Sequence, residues 1–594
     1  MRIALLTEGG YPYPGGDAAA WCDRLVRGLG GHGFEVYALG RDERQRDGAW
    51  SALPENVLRV RTAPLWGPPH GADRRHGRYG RRERRRFGEH FAALVRAVCA
   101  APDGGPEADG AEADRFAGGL HGLAALAREH GGLAPALLSE PALRLLEDAC
   151  RARGAPHAVR TARVTDLLTV AEQLERVLRP LATDWYGEDG LAAADVCHVV
   201  GAGPAALPGL LANRLHGTPL LITEYGVRLR EHYLASAARA VAPGAVEAPV
   251  RALLAAFHRR LAHEAYRRAE LVTSGNAHAR RWQLRCGADR SRLRTVHPGM
   301  DAPELAGIEE DTGRDRPDPL LVWVGRVEPA RDLVGLLHAF ARLRRTVPGA
   351  RLLIAERPGG AGAAGGRRPQ DAAYLGHCRA LAAQLFPDEA ADSHSAGENP
   401  VCFARLGDPE APGLAEVYAA ADIAVLSSVV EGFPVSLAEA MLAGRATVST
   451  DVGAVREAVG GTGLVVPPRN PSALASACAA LLGDPARRAR LGAAARARAV
   501  ELFTAEQNLT AFRGLYLELL SRSPRAAEPV ARPRPFALPP EAHLPGRRNA
   551  AAPLPVRAPA RPPGTGRGPG ADGRGARTPS WARAAAAAAG EGAR

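Results

Sequence analysis

Ser428-Val-Val-Glu431-Gly-Phe-Pro-Val-Ser-Leu-Ala-Glu439-Ala-Met-Leu-Ala-Gly444 sets two carboxylates eight residues apart around a Gly-Phe-Pro turn. The preceding run, Ile423–Ser427, is short and apolar like a buried strand, and the residues after Pro434 carry a helical pattern. The segment therefore predicts a strand, a tight turn through Gly432 and Pro434, and a helix whose first N–H groups have no partners within it. Such a helix start attracts phosphate. Glu431 precedes the helix and can reach a sugar hydroxyl. Glu439, about one turn in, can accept two hydrogen bonds from a vicinal ribose diol. That spacing suits one elongated ligand, a nucleotide-sugar. A bare Glu-x7-Glu pair would more simply be a capped surface helix with two solvated carboxylates; the Gly-Phe-Pro context favours the ligand.

Upstream, Val322-Trp-Val-Gly325-Arg326-Val-Glu-Pro-Ala-Arg331-Asp332 is a strand end followed by two Arg residues five apart. They can clamp a diphosphate, because guanidinium groups grip phosphate oxygens in bidentate fashion. Alone, the segment is equally an exposed Arg pair at a helix start. Strand-like runs recur at Met1–Thr7, Val36–Leu39, Val57–Val60, Val196–Val200, Pro219–Thr223 and Leu271–Ser274. A second block has Leu320–Gly325, Arg351–Ala355, Pro400–Phe403, Ile423–Ser427, Ala446–Ser449 and Gly463–Val466, with helical patterns between most of them. Two blocks of alternating strands and helices predict an α/β chain with two doubly wound, Rossmann-like domains. Ligand would lie at the strands' C-terminal ends.

The expected boundaries are 1–300 for the first domain, 301–505 for the second, a helix over 506–522 and a tail over 523–594. Within the first domain the alternation breaks between about 72 and 183, which reads as a helical insertion. It opens on a run from Arg74 to Arg86 with eight Arg, read as a solvated loop, with contact to an anionic polymer or membrane surface as the second reading. A Gly/Asp loop is expected near Pro102–Asp114, and helices over Pro135–Arg153 and Val159–Leu181. The tail is Pro, Ala, Gly and Arg with few large apolar residues, so it cannot bury enough surface to order itself.

A chain of 594 residues exceeds one ordinary core, and its 46% hydrophobic content supports a globular body. Eight scattered cysteines form no C-x-x-C or close His/Cys group, which argues against a zinc site or a disulfide framework and for a reducing cytoplasm. The run Ile3–Leu6 is too short for a signal sequence and no stretch is apolar enough to span a membrane, so a soluble cytoplasmic protein is expected, with peripheral placement at the inner membrane face left open. Of the net +12, the tail contributes +8, from twelve Arg against four acidic residues. Aromatic residues are sparse there, so no nucleic-acid partner is expected. All 76 basic residues are Arg, which with the abundant Ala, Gly and Pro points to a GC-rich bacterial genome.

With these residues in hand, the chain over about 1–520 resembles the retaining glycosyltransferases of family four, whose two Rossmann-like domains form the GT-B arrangement. Leu6-Thr-Glu-Gly-Gly-Tyr-Pro-Tyr-Pro-Gly-Gly16, Trp21-Cys22, Thr223-Glu-Tyr-Gly226 and Arg230-Glu231 resemble the subgroup that includes the cytoplasmic Pel-polysaccharide glycosyltransferase. The resemblance implies that Arg326 and Arg331 hold the donor diphosphate, helped by backbone N–H groups around Gly432, Phe433, Pro434, Val435 and Ser436. It further implies ribose binding by Glu439, sugar binding by Glu431, and approach of the Gly15-Gly16 loop to phosphate and acceptor. Tyr225 and His198 become candidate acceptor or sugar contacts. Retention is taken to proceed by same-face attack, with the leaving phosphate accepting the acceptor's proton, so Glu431 is not a covalent nucleophile. No cofactor and no metal ion are expected.

The chain departs from the family pattern in places. Arg331 stands where Lys is common, which the lysine-free composition accounts for, and Tyr225 stands where His is common. Val401-Cys-Phe-Ala-Arg405 lacks a Gly that often follows this strand, and His297-Pro-Gly299-Met-Asp301 matches the interdomain linker. Glu457, in Asp451-Val-Gly453-Ala-Val-Arg-Glu457, either shapes the donor pocket or caps a helix. His198 is read more simply as a packing residue at a strand end.

The expected activity is transfer of a hexose from a nucleoside-diphosphate sugar, UDP-glucose first, to an acceptor glycan or small alcohol in exported or cell-surface polysaccharide synthesis. Two alternatives stand beside it. One is a small-glycoconjugate transferase of the inositol-phosphate type. The other is a nucleotide-sugar-binding scaffold with a polysaccharide-assembly or membrane-surface partner. A sugar-nucleotide epimerase fits the Glu-Gly-Phe-Pro context less well.

Overall fold

The computed structural model describes residues 1–13, 17–40, 52–67, 79–101, 105–227, 229–230, 248–300, 303–309, 317–357, 369–387 and 399–522. The candidate residues Gly15 and Gly16, the Arg74–Arg78 part of the basic run and the whole tail lie outside them.

The first sheet holds β1 (Arg2–Glu8), β2 (Gly33–Gly40), β3 (Val57–Pro64), β4 (Val196–Val200), β5 (Leu220–Glu224), β6 (Leu271–Ser274) and β7 (Leu293–Thr295). All are parallel, in the order β3-β2-β1-β4-β5-β6-β7. Ile3 pairs with Phe34 on one side and Val196 on the other. The second sheet holds β8 (Leu320–Gly325), β9 (Arg351–Glu356), β10 (Val401–Arg405), β11 (Ile423–Leu426), β12 (Ala446–Thr450) and β13 (Leu464–Val466), in the order β10-β9-β8-β11-β12-β13. Central strands such as β5, β11 and β12 are buried along their whole length, because helices cover both faces of a parallel sheet. In each sheet the order reverses beside the first strand, between β1 and β4 and between β8 and β11. Loops leaving neighbouring strands diverge at such a point and open a crevice at their C-terminal ends.

The insertion between β3 and β4 is helical, and two expectations within it are corrected. From Gly105 onward, the Gly/Asp segment read as a loop near Pro102–Asp114 belongs to a helix, Gly105–His130, and the basic run from Arg81 onward belongs to another, Arg81–Cys99; residues 102–104 lie outside the described residues. Phe87, Phe91, Leu94 and Val95 bury one face of the latter and leave its arginines outward. Further along the Gly105–His130 helix, beyond the expected loop, Gly119 permits close packing of the two helices: a Cβ there would stand 2.7 Å from the His90 carbonyl oxygen and 2.8 Å from the Leu94 nitrogen. The short strand β7 also went unread. The final helix, Ala505–Arg522, packs back on the first domain, where Asn508 Oδ1 accepts from Trp21 Nε1 at 3.1 Å. Among the described residues no helix is long and apolar enough to cross a membrane.

A buried carboxylate anchors the insertion to the Ala248–Arg268 helix. Glu264 lies 3.4 Å from His121 Nε2 and accepts from Arg268 Nε at 3.0 Å and Arg267 Nη2 at 2.9 Å. Burial alone would raise its pKa, but His121, Arg268 and Arg267 override that and hold it at about 2. A depressed folded-state pKa means that the stabilisation is present above the unfolded value near 4.5 and is lost as pH falls through about 2. We expect wild-type thermal stability to fall across that window by up to about 3 kcal/mol from this group. Glu264→Gln should be less stable at neutral pH and converge on wild type at low pH; parallel melting curves against pH would refute the assignment.

Candidate functional site

The loops leaving β8 and β11 meet at the reversal point of the second sheet. Val429 N donates to the Ala330 carbonyl at 2.9 Å and Ser427 Oγ donates to the Arg331 carbonyl at 2.7 Å, so the two loops are stitched together through the main-chain carbonyls of the β8 loop. This brings Arg331 onto Glu431 in a salt bridge, while Ser428 Oγ donates to the same carboxylate at 3.1 Å. Arg331 Nε also donates to Glu328 at 3.1 Å. Burial works against the Arg331 charge, but the neighbouring Glu431 and Glu328 carboxylates more than offset it and raise its pKa. Arg326, at the same strand end, is 55% exposed against 20% for Arg331 and lies 3.9 Å from Glu328. One arginine is therefore fixed in the site and the other reaches toward solvent.

The Gly-Phe-Pro turn is built as expected. Val435–Leu442 forms the helix, Pro434 caps it without a side-chain hydrogen bond, and Phe433 buries its ring edge-on to Phe503 at 5.3 Å. Val435 N is used locally, donating to the Phe433 carbonyl at 3.0 Å, and the Ser436 carbonyl accepts from Tyr418 Oη at 2.7 Å. Glu439 is buried and forms a salt bridge with Arg357, the residue that follows β9. Arg357 was missed in the sequence; its place at a strand's C-terminal end is the signal that could have found it. Ser428 was missed for a different reason: a lone serine carries no pattern.

The first domain contributes the end of β5. Glu224 is buried and ties three segments together, accepting from Ala202 N at 3.0 Å, from Gln283 Nε2 at 3.3 Å and from Tyr266 Oη. The following Tyr225 carbonyl oxygen lies 4.0 Å from where a Cβ on Gly432 would stand, so its backbone borders the turn. Its side chain does something else. Tyr225 Oη accepts from Asn508 Nδ2 at 3.0 Å and its ring packs edge-on to Trp21, 5.2 Å between centroids; burial raises its pKa. His198 is corrected as a sugar or acceptor contact. It is fully buried in β4, 2.7 Å from both Tyr516 Oη and Thr223 Oγ1, and burial lowers its pKa to about 3. A neutral imidazole satisfied by two hydroxyls is a packing element. Glu457 caps a helix, though in the other domain: its Oε2 accepts from Ala277 N at 2.7 Å.

The two-sheet fold has counterparts among solved structures. Sucrose-phosphate synthase from Thermosynechococcus elongatus superposes with a TM-score of 0.52 at 17% identity, over 88% of this chain and 100% of that one. Anabaena Alr3699/HepE in complex with UDP superposes with a TM-score of 0.50 at 14% identity, over 87% of this chain and 100% of that one. Residues 318–484, which carry both stitched loops and both carboxylates, match the family model described as glycosyl transferases group 1. The chain has the group 1 glycosyltransferase (GT-B) fold. Residues 1–291 match a second model, a domain of unknown function, DUF3492. In sequence the chain is similar to D-inositol 3-phosphate glycosyltransferases: 35% identical over 222 residues to that of Nocardia farcinica, covering 36% of this chain and 45% of that protein. The similarity to that of Kineococcus radiotolerans is 31% over 289 residues, 44% of this chain and 60% of that one. The chain spans about half the length of the curated relatives it matches. Metal-binding clusters of three or more His, Cys, Asp or Glu are absent among the described residues.

Proposed function

We propose that this protein is a retaining, metal-independent glycosyltransferase that moves a hexose from a nucleoside-diphosphate sugar, UDP-glucose first, to an acceptor alcohol. The observation that carries this reading is the convergence of Arg331, Glu431 and the Gly432–Ser436 turn at the reversal point of the second sheet, with Glu439 one turn further on. Negative charge grows on the leaving diphosphate as the sugar C1–O bond breaks. Cations fixed there stabilise the transition state more than the ground state, so the reading needs no metal ion to do that work. The acceptor oxygen bonds to C1 from the same face and its proton passes to the leaving phosphate. Glu431 holds sugar hydroxyls and Glu439 the ribose, and a bound donor would compete with Arg331 and Arg357 for those carboxylates. Exported or cell-surface polysaccharide synthesis at the inner membrane face, with an assembly partner, is the setting we infer. The similarity to D-inositol 3-phosphate glycosyltransferases favours a second reading, a small phosphorylated acceptor.

The test is release of nucleoside diphosphate from a panel of UDP-, ADP- and GDP-sugars, with and without inositol phosphate. Wild type should accept one donor selectively, and Glu439→Ala and Arg326→Ala should each reduce release by about 10-fold or more. Binding of a nucleotide-sugar without release under any acceptor condition would leave the scaffold reading in place of the transferase.

A further inference from the structure

We propose that Arg230 is a positioning residue, lent by the first domain to hold the Glu431 turn of the second, with Glu457 returning a matching tie. The proposal rests on the reading of that turn as the donor site. Arg230 Nη2 donates to the main-chain carbonyl of Glu431 at 2.6 Å. The next carbonyl in the turn, Gly432 O, accepts from Ala454 N at 3.1 Å, which binds the turn to the start of the short Val455–Val459 helix. That helix presents Glu457, whose Oε2 accepts from Ala277 N at 2.7 Å. Ala277 is the first residue of the Ala277–Arg285 helix in the first domain, and its neighbour Asn276 caps the same helix by accepting from Ala279 N at 2.7 Å.

The contacts close a loop: first-domain Arg230, donor turn, short helix, Glu457 and a first-domain helix start. Both ties are charge-assisted. A guanidinium meets a carbonyl at one end, and a carboxylate meets the electropositive end of a helix at the other. The two carbonyls of the turn are thus held one by each domain, and the side-chain direction of Glu431 follows from its backbone. In this arrangement the first domain does more than offer an acceptor surface, since it sets the geometry of a carboxylate it does not carry. Arg230 touches the main chain here, so its effect on the reaction is exerted through Glu431.

The experiment is hydrogen–deuterium exchange on the ligand-free full chain, comparing wild type with Arg230→Ala, Arg230→Lys and Glu457→Ala, followed by turnover with UDP-glucose as the probe donor. Arg230→Ala should speed exchange over 429–436 about tenfold, Arg230→Lys should restore part of the protection, and Glu457→Ala should speed exchange over 277–279 and 455–459. Unchanged exchange over 429–436 in Arg230→Ala would overturn the proposal, whatever the donor. With turnover, a kcat loss of about 10-fold or more at a KM within about threefold supports positioning. A KM rise at constant kcat would mark direct donor binding and would also overturn it. If wild type neither binds nor turns over any donor, the transferase reading fails while the exchange data still decide on the tie. Should Arg230→Ala not fold, exchange in Arg230→Lys and Glu457→Ala decides in its place: faster exchange at the two ties supports the proposal and unchanged exchange overturns it.

Discussion

Arg331→Ala should lower nucleoside-diphosphate release from the accepted donor by about 10²–10³-fold, the usual loss when a fixed charge-stabilising donor is removed. Two effects combine at this position. The first is loss of the cation nearest the expected diphosphate. The second is that Glu431, buried beneath its partner, keeps among the described residues Ser428 Oγ and the adjacent Gly432 N–H, at 3.1 and 3.2 Å. Removing one partner of a buried ion pair typically costs about 3–5 kcal/mol. Arg331 retains 20% exposure, so solvent softens that cost and the lower end of the range applies. Stability and activity can be separated by the double variant Arg331→Ala/Glu431→Gln. It should regain much of the melting temperature, because no unpaired charge remains, and little of the turnover. Arg331→Lys should keep more activity than Arg331→Ala, since a point charge still meets phosphate but without the bidentate fork. Turnover of Arg331→Ala within about threefold of wild type would remove this residue from the mechanism.

Gly453→Ala should be nearly as damaging to turnover without touching any side chain of the site. Gly453 has φ +58°, in the left-handed region, and a Cβ there would stand 2.3 Å from the Glu431 carbonyl oxygen and 2.8 Å from that of Gly432. The turn would have to move. Displacement of a catalytic group by about 1 Å can cost about 10²-fold in rate. Strain from positive φ and strain from collision are separable with a control. Gly461 has φ +91° and a Cβ there would meet nothing within 4 Å, so Gly461→Ala carries the backbone cost of about 1–2 kcal/mol alone. We expect both variants to melt earlier and only Gly453→Ala to lose turnover beyond its stability loss. Equal kinetic losses in the two would show that the collision with the turn does not matter.

The legibility of this protein varied with the range of the interaction. Period and punctuation revealed both sheets, and the Glu431–Glu439 segment was readable because strand, turn and helix are consecutive in the chain. The strand ends of β8 and β11 were placed correctly enough to bring Arg326, Arg331 and Glu431 to one edge. Within the insertion, the Gly/Asp segment near Pro102–Asp114 read as loop because glycine lowers helix propensity, and the packing of the Gly105–His130 helix on the Arg81–Cys99 helix is invisible in a local window.

Local sequence by itself determined the alternation of strands and helices, the two-sheet class and the turn with its two carboxylates, because backbone preference and apolar period act over a few residues. Only the tertiary structure decided the partners. Arg331 reaches Glu431 across 100 residues, Arg357 reaches Glu439 across 82, and Arg230 reaches the Glu431 carbonyl across 201. It also moved His198 from the candidate site into the core, against a helix that joins the first domain from the far end of the described chain. Pairings over such separations depend on which strand ends the parallel topology brings side by side, and no local preference encodes that choice.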